Sequence, residues 1–358
     1  MKTTVRISTA VLAFSLVLAT PALAAETITV EGGGWGHGIG MSQYGAKALA
    51  GVGKTAAQIT SHFYPGTQIG TVGTGNLVDH ADPLRIGAAQ SQVRIDFSAL
   101  GGPITLCLGA DCTLVAQPGD GLAWSLRADG AGNCQYYNAE TPVGTPGACD
   151  GEWTWANQPN VLVSVSTLNR VYGRGKVMFV PAPGNTFHLL VELGLEEYLY
   201  GLGEMPSSWP TEALKAQAIA GRTYALYKAW VWRDLANKQA RMDACACHLY
   251  ASTKDQKYIG WAKEGEVASG TNWGAIWKAA VDATAGQALI HSHSEWRAIE
   301  SYFFSSSGGA TENNEDMWGG SPYPYLRSVA DPGPTYWTKD FDKSTFAALL
   351  GFDLVFSA

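Results

Sequence analysis

The chain has 358 residues, a formal charge of −7 and only 15% charged side chains, with 42 Gly and 13 Trp. That is enough chain for one large core or two smaller ones, and too little charge for a disordered or coiled polymer. An acidic chain has no basic field with which to neutralise phosphates, so nucleic acid is excluded as the expected partner, whereas carbohydrate, which is recognised through aromatics, is not.

Residues 1–24 read as a secretory signal. Lys2 and Arg6 form its positive start, Ala10 to Leu18 its apolar core, and Ala22-Leu23-Ala24 its small-residue cleavage site, with the cut expected after Ala24. The apolar run is short for a bilayer span, so a secreted or cell-wall-associated protein is expected, in a compartment where disulfides form. Cys107 and Cys112 flank a tight loop, Cys134 and Cys149 bracket a Gly/Pro-rich one, and Cys245 and Cys247 stand one residue apart. Two or three disulfides are expected; their pairing is left open, because spacing does not give connectivity.

Ile28 to Val30 predicts a short strand that runs into a glycine-dense turn from Gly32 to Gly40, from which Trp35 and His37 project. Ser42 and Thr55 are placed to cap two helices, the first through Ala50 and the second through Phe63. No Lys-Ser/Thr pair follows the glycines at the spacing of a phosphate loop. Residues 72–86 read as a polar linker. Residues 92–180 read as β-rich, with alternation at Val93–Phe97, Val161–Val165 and Lys176–Val180. Trp153 and Trp155 are expected in its core, and Asp111, Asp120, Asp129 and Asp150, beside Gly or Cys, are expected to form turns.

After a strand at Phe187–Val191, Glu196 to Gly203 predicts a short helix or turn that closes on glycine. Pro206 then forces Met205 towards an extended shape, so Glu204 falls where the helix stops, with Met205 and Trp209 close by. Such a carboxylate is a candidate for a raised pKa, and a protonated acid at neutral pH can donate to a leaving group. Pro210 suits the first position of a new helix, which strong helix formers continue from Thr211. That helix is expected to run on through Lys238, with Trp230 and Trp232 as packing anchors. Gln217 and Arg222 interrupt its Ala-rich face and are expected to turn towards a cleft.

Residues 242–260 predict a loop running into a strand. Cys245, Cys247 and His248 offer three zinc ligands where about four are needed, and a disulfide is the preferred reading. Trp273–Thr284 predicts a helix and Gln287–His291 a strand. Glu300–Thr311 predicts a strand carrying Tyr302 and Phe304, and it ends in Ser305, Ser306, Ser307 and Gly308, whose hydroxyls and bare N–H groups make a lip suited to sugar hydroxyls. No G-x-S-x-G elbow appears, which argues against a Ser-His-Asp hydrolase. Residues 341–356 read as a helix followed by a strand.

Three segments, EEYLYGLGEMP with WPTEALKAQAIAGRTYAL, GWGHGIGMSQYGA with HFYPGT, and ESYFFSSSGGAT, resemble signatures of the stage II sporulation protein D (SpoIID/LytB) family of peptidoglycan lytic transglycosylases and amidase enhancers. The resemblance covers residues 28–67 and roughly 176–332. It implies an α+β fold with a glycan-binding cleft, and a circularly permuted motif order, since the Trp-Gly-His turn here precedes the Glu-Met-Pro segment. Residues 25–70 would form the N-terminal part, 71–175 a β-rich insert with cysteines, and 176–358 the main catalytic part; family domains of this order often continue further. Glu204 matches the family's catalytic acid. With the reading above, Gln217, Arg222, Trp35, His37, Thr253, Gln256, Ser305, Ser306, Ser307 and Gly308 are the expected substrate contacts. Ser301 and Phe303 depart from the family's Ala and Tyr. The His-Cys pair that holds zinc in some members falls on Lys254 and Asp255, so no metal or cofactor is expected. The implied activity is cleavage of denuded glycan strands to 1,6-anhydromuramyl ends. The implied partners are those strands and a cell-wall amidase, and a monomer is expected. The alternatives are a non-catalytic amidase enhancer, or a muramidase with Glu197, Glu300 or Glu312 as second carboxylate.

Overall fold

The structure is a computed structural model that describes residues 27–77, 83–119 and 124–351. The secretory signal, Asp120 and the strand expected after residue 351 lie outside the described residues. The elements run β1 (Thr27–Trp35), β2 (Met41–Ser42), α1 (Gln43–Gly51), α2 (Ala56–Phe63), β3 (Gln68–Thr71), β4 (Leu84–Gln92), β5 (Arg94–Leu100), β6 (Ile104–Leu108), β7 (Asp111–Ala116), β8 (Trp124–Ala128), β9 (Asn133–Asn138), β10 (Thr141–Ala148), β11 (Gly151–Thr154), β12 (Leu162–Val165), β13 (Arg170–Tyr172), β14 (Lys176–Ala182) and β15 (Thr186–Leu193). Then follow α3 (Leu195–Tyr200), α4 (Thr211–Val231), α5 (Gln239–Ala244), β16 (Leu249–Tyr250), α6 (Trp261–Glu264), β17 (Val267–Ala268), β18 (Thr271–Asn272), α7 (Trp273–Asp282), β19 (Gln287–Ile290), β20 (Phe303–Phe304), β21 (Ser306–Ser307), α8 (Asn314–Trp318), β22 (Tyr336–Asp342) and α9 (Lys343–Leu349). The fold class is α+β, as the resemblance implies.

Two compact units are present, one of residues 33–336 and a smaller one that joins the first and last stretches of the chain. In the smaller unit Thr29 Oγ1 donates to Asp340 at 2.6 Å, and the Asp342 carboxylate caps α9 by accepting from the Ser344 and Thr345 N–H groups.

In the larger unit β16-β4-β15-β14-β11-β6-β7 form one sheet and β10-β9-β8-β5-β12-β13 another. The first sheet draws strands both from the cysteine-bearing region 71–175 and from the chain after it. Leu84 already belongs to β4, so the strand begins inside the stretch read as a linker. Aromatics fill the space between the sheets: Phe97 of β5 stacks on Trp153 of β11 with ring centroids 3.9 Å apart, and the Trp153 indole donates to the Tyr136 hydroxyl at 2.9 Å. The indole N–H thereby has a partner in the interior, as burial requires. Trp153 and Trp155 are thus core residues, as their alternation predicts. Disulfides join Cys107 to Cys112, Cys134 to Cys149 and Cys245 to Cys247, the last being the preferred reading of that pair.

Ser42 caps α1, its hydroxyl accepting from the Gly45 N–H, and Thr55 and Gln58 form a reciprocal capping box on α2. α4 starts directly after Pro210 and is buried nearly all round. Its alanines let α1, α2, α7 and β19 approach its axis, and Gly221 leaves room for Leu202, whose Cδ2 would lie 2.8 Å from a Cβ there. The helix stops at Val231 rather than running on to Lys238. Asp234 takes a left-handed conformation, φ 60°, and the Lys238 ammonium turns back to bond the Val231 carbonyl, which satisfies an orphan acceptor of the last turn. Trp230 is 39% exposed and carries Arg233 and Arg297 over its ring, so it anchors cations rather than the core.

The turn from Gly34 to Gly40 lies against the segment 302–307. Trp35 pairs with Ser306 and Gly34 with Ser307, and Met41 and Ser42 run parallel to Phe303 and Phe304. The approach depends on missing side chains. A Cβ on Gly40 (φ 77°) would lie 2.1 Å from the Tyr302 carbonyl oxygen, and one on Gly34 (φ 79°) 2.7 Å from that of Ser306.

Candidate active site

Glu204 is positioned by its backbone. Leu202 bridges to Tyr258 and the Gly203 N–H donates to the Lys257 carbonyl at 2.8 Å, so the turn after α3 is laid against residues 256–258. The Lys257 N–H in return donates to Glu204 Oε1. Among the described residues this is the only donor to the carboxylate, and Oε2 is left open. Burial pushes the Glu204 carboxyl above its ordinary value, and the Lys257 N–H partly opposes that by favouring the anion. Met205 is buried beside it. The raised-pKa expectation therefore has its physical cause: a partly buried carboxyl with one oxygen fixed and one free to carry a proton.

The loop is held from two sides. Gln43, the first residue of α1, donates through Nε2 to the Glu204 carbonyl at 3.0 Å and to Gln217 Oε1 at 3.1 Å. On the other side the Lys263 ammonium donates to the Met205 carbonyl at 2.6 Å, and Ser207 donates to Glu266 Oε2 at 2.7 Å. Burial pushes Lys263 down to about 8. Neither Gln43 nor Lys263 was singled out in the sequence; Gln43 sits directly after a readable N-cap, but its partners are 161 and 174 residues away. Lys263→Met is expected to lower stability by about 1.5–3 kcal/mol through loss of a charged hydrogen bond. Unfolding by denaturant would show it.

Several expected substrate contacts prove to be structural. Gln217 is fully buried and supports Glu204 through Gln43; its Nε2 has no acceptor among the described residues. Arg222 does not face a cleft. It is 0% exposed, donates to both Glu196 oxygens at 2.8 and 2.6 Å, and reaches the Gln287 carbonyl at 3.1 Å. A helix buried on all sides must supply partners for an interior cation, and this one finds them in α3 and the start of β19. Gln256 is also buried, accepting from the Tyr198 hydroxyl at 2.7 Å and donating to the Gly221 carbonyl at 3.4 Å.

The serine lip is smaller than expected. Ser306 Oγ is bonded to Thr335 Oγ1 at 2.6 Å, and Ser307 Oγ donates to Asp331 Oδ2 at 2.6 Å while accepting from the Gly309 N–H. Both residues are buried, so their hydroxyls serve the fold. Ser305 stays partly open, and its carbonyl accepts from the Tyr44 N–H at 3.0 Å. Gly308 is exposed. Gln43 and Tyr44 are adjacent, so the first turn of α1 links the Glu204 loop to the Ser305 strand.

His37 accepts from the Ile39 N–H at Nδ1, 3.1 Å away, which leaves the proton of the neutral ring on Nε2. Burial lowers its pKa, opposed in part by the Phe303 backbone, so the ring is a neutral wall. With Thr253 it lines a pocket of about 180 Å³. Trp35 is 77% exposed and does not line that pocket.

Zinc does not fit the residues present. Cys245 and Cys247 are joined as a disulfide, and His248 Nδ1 accepts from the Arg85 N–H at 3.0 Å. At the other candidate position Asp255 is paired with Lys228 at 2.8 Å, lies 3.8 Å from Arg241 and accepts from the Tyr224 hydroxyl at 2.9 Å. Fixed cations already occupy the surroundings a metal would need. Of the candidate second carboxylates, Glu197 accepts from the Gly194 N–H ahead of α3 and Glu300 accepts from the Tyr302 hydroxyl.

A family described as Stage II sporulation protein (SpoIID) matches residues 184–291, which contain Glu204 and all of α4. Stage II sporulation protein D of Bacillus subtilis (strain 168) is 35% identical over 174 residues, 45% of this chain and 46% of that protein. The protein of the same name from Bacillus amyloliquefaciens is 34% identical over 185 residues, 49% of this chain and 51% of its own length. A B. subtilis protein named Amidase enhancer is 32% identical over 128 residues, 36% of this chain and 14% of its own. The chain thus spans about half the length, or less, of these relatives. No solved structure matches it.

Proposed function

We propose, for a chain whose residues 184–291 belong to the SpoIID family of stage II sporulation proteins, that it is a secreted lytic transglycosylase acting on peptidoglycan strands stripped of their stem peptides. The observation that carries the reading is Glu204: partly buried, its pKa raised, one oxygen held by the Lys257 N–H and the other open. The protonated carboxyl gives its proton to the oxygen between N-acetylmuramic acid and N-acetylglucosamine as the C1–O bond of the muramyl residue breaks. The resulting carboxylate then takes the proton of the muramyl C6 hydroxyl as O6 bonds to C1. No water is consumed and the acid is regenerated. One acid/base suffices because the substrate supplies the nucleophile, in contrast to the paired carboxylates of hydrolysing glycosidases.

The test is mass analysis of peptide-free glycan strands incubated with the purified chain. Muramyl ends one water lighter than free reducing ends are expected; free reducing ends would instead make the protein a hydrolase. The relative named Amidase enhancer supports a second reading, a glycan-binding protein that stimulates a cell-wall amidase. Strands bound but uncut, with an amidase accelerated in the same tube, would favour it.

A further inference from the structure

We propose that the Cys245–Cys247 disulfide is a maturation latch: oxidation of these two thiols sets the loop that bears on Glu204, so strand cleavage is withheld until the chain meets a disulfide-forming compartment. The inference rests on the secreted, glycan-cleaving reading above and adds to it a condition for activity. The co-reactant is a disulfide oxidant, small-molecule or protein. One cysteine thiolate attacks the oxidant's S–S bond and expels a thiol; the second thiolate then attacks the mixed disulfide and expels the other. Two protons and two electrons leave the protein, and the oxidant becomes two thiols.

This pair stands apart from the other two. Cys107–Cys112 and Cys134–Cys149 lie in or beside the β6–β7 and β9–β10 hairpins, whose strands are already paired through their backbones. Cys245 and Cys247 lie between α5 and β16, with one residue enclosed. Closing so short a loop removes little entropy from the unfolded chain, since that gain grows with loop length. What the bond fixes is local. Ala246, which it encloses, has φ 51°, a left-handed conformation that a residue with a β-carbon seldom holds unless its surroundings impose it. Both sulfurs are buried, and a Cβ on Gly87 of β4 would lie 2.9 Å from Cys247 Sγ. Oxidation therefore precedes final packing, and the finished bond is shielded from thiols, which makes the latch one-way.

A short line of bonds leads from the latch to the acid. Arg241 of α5 donates through Nε to the Cys247 carbonyl at 2.8 Å and through Nη2 to the His248 carbonyl at 2.9 Å. The same guanidinium lies 3.8 Å from Asp255 Oδ2, which accepts from the Tyr250 N–H at 2.9 Å. Asp255 Oδ1 is held by Lys228 at 2.8 Å and by the Tyr224 hydroxyl at 2.9 Å. Gln256, next in the chain, is buried, and the Lys257 N–H after it is the donor to Glu204 Oε1. Without the disulfide, Ala246 relaxes towards the β region and the Cys247 and His248 carbonyls turn away from Arg241. Asp255 then loses a cation that fixes it, and Glu204 loses the N–H that orients its carboxyl.

In the experiment the full chain is denatured, reduced and refolded with glutathione disulfide. Samples are quenched by alkylation at intervals, each cysteine pair is mapped by mass, and strand cleavage and hydrogen exchange over residues 253–258 are followed. Cleavage and slow exchange are expected to appear together with the Cys245–Cys247 bond. Either one appearing while these thiols are still free to be alkylated would overturn the latch. In a folded Cys245→Ser/Cys247→Ser protein, exchange over 253–258 is expected to speed up about tenfold and cleavage to fall about 10²-fold. Ala246→Gly in that background should restore part of both, because glycine holds a φ of 51° without strain. Cys107→Ser/Cys112→Ser should leave both within about twofold, because it frees a different hairpin. A Cys245→Ser/Cys247→Ser protein with parental exchange and cleavage would overturn the proposal, as would equal losses in the two double variants. If the oxidised parent cut no strand, the glycan reading would fail, and the exchange measurement would still decide whether the bond sets the loop.

Discussion

Glu204→Gln is expected to lower the rate of strand cleavage by about 10²–10⁴-fold while strand affinity changes little. The amide is nearly isosteric, can still accept from the Lys257 N–H, and leaves the Gln43 bond to the Glu204 carbonyl untouched. What it loses is the proton. The same burial that stores that proton sets the pH dependence. In the proposed mechanism cleavage needs the protonated form, so the rate is expected to fall as pH rises through the raised pKa of Glu204. Stability follows with a definite sign. Between the unfolded and the raised folded pKa the native state binds more protons than the unfolded chain, so stability is lost as pH rises through that window. Glu204→Gln removes the desolvated carboxylate. Its melting temperature should therefore gain on the parent protein as pH rises from 4 to 7, which scanning calorimetry at a series of pH values would detect. An unchanged difference would mean that burial does not strain this group.

The second large effect concerns Arg222, and it is on stability. Arg222→Ala is expected to destabilise the protein by about 3 kcal/mol, the lower part of the range for breaking a buried ion pair. The lower part applies because Glu196 keeps 32% of its side-chain surface exposed and can be rehydrated. The Gln287 and Val281 carbonyls also lose a donor. Well below the melting temperature, kcat and KM should stay within about twofold of the parent, since the Arg222 guanidinium bonds Glu196 and the Ala218, Gln287 and Val281 carbonyls and, among the described residues, neither Glu204 nor Gln43, Lys257 or Lys263. A large rise in KM with unaltered stability would return Arg222 to the substrate. Urea unfolding and initial rates on the same preparations separate the two outcomes.

What could be read in the chain was local. The caps at Ser42 and Thr55, the start of α4 after Pro210 and the burial of Trp153 follow from residues a few positions apart, and propensity and periodicity report on such distances. Glu204 was legible because Gly203 and Pro206 bracket it and mark a helix break. What could not be read was long-range pairing. Arg222 looked functional because no neighbour in α4 explains a cation, but its explanation, Glu196, lies 26 residues upstream. Ser306 and Ser307 looked like free hydroxyls until Thr335 and Asp331, 29 and 24 residues on, were found to hold them. Gln43 carries no local signal, because its side chain acts at the Glu204 carbonyl, 161 residues on. The end of α4 was misread for a different reason: a left-handed Asp234 and a returning Lys238 stop the helix, and neither is a Gly or a Pro.

The account depends on Glu204 holding a proton where an ordinary glutamate would have lost it. A direct measurement is the side-chain carboxyl ¹³C shift of Glu204 followed across pH, assigned by its absence in Glu204→Gln. The expected result is a midpoint above that of the exposed glutamates of the same protein. A midpoint at or below theirs would contradict the account, because the carboxyl would then be an anion at neutral pH with no proton to deliver.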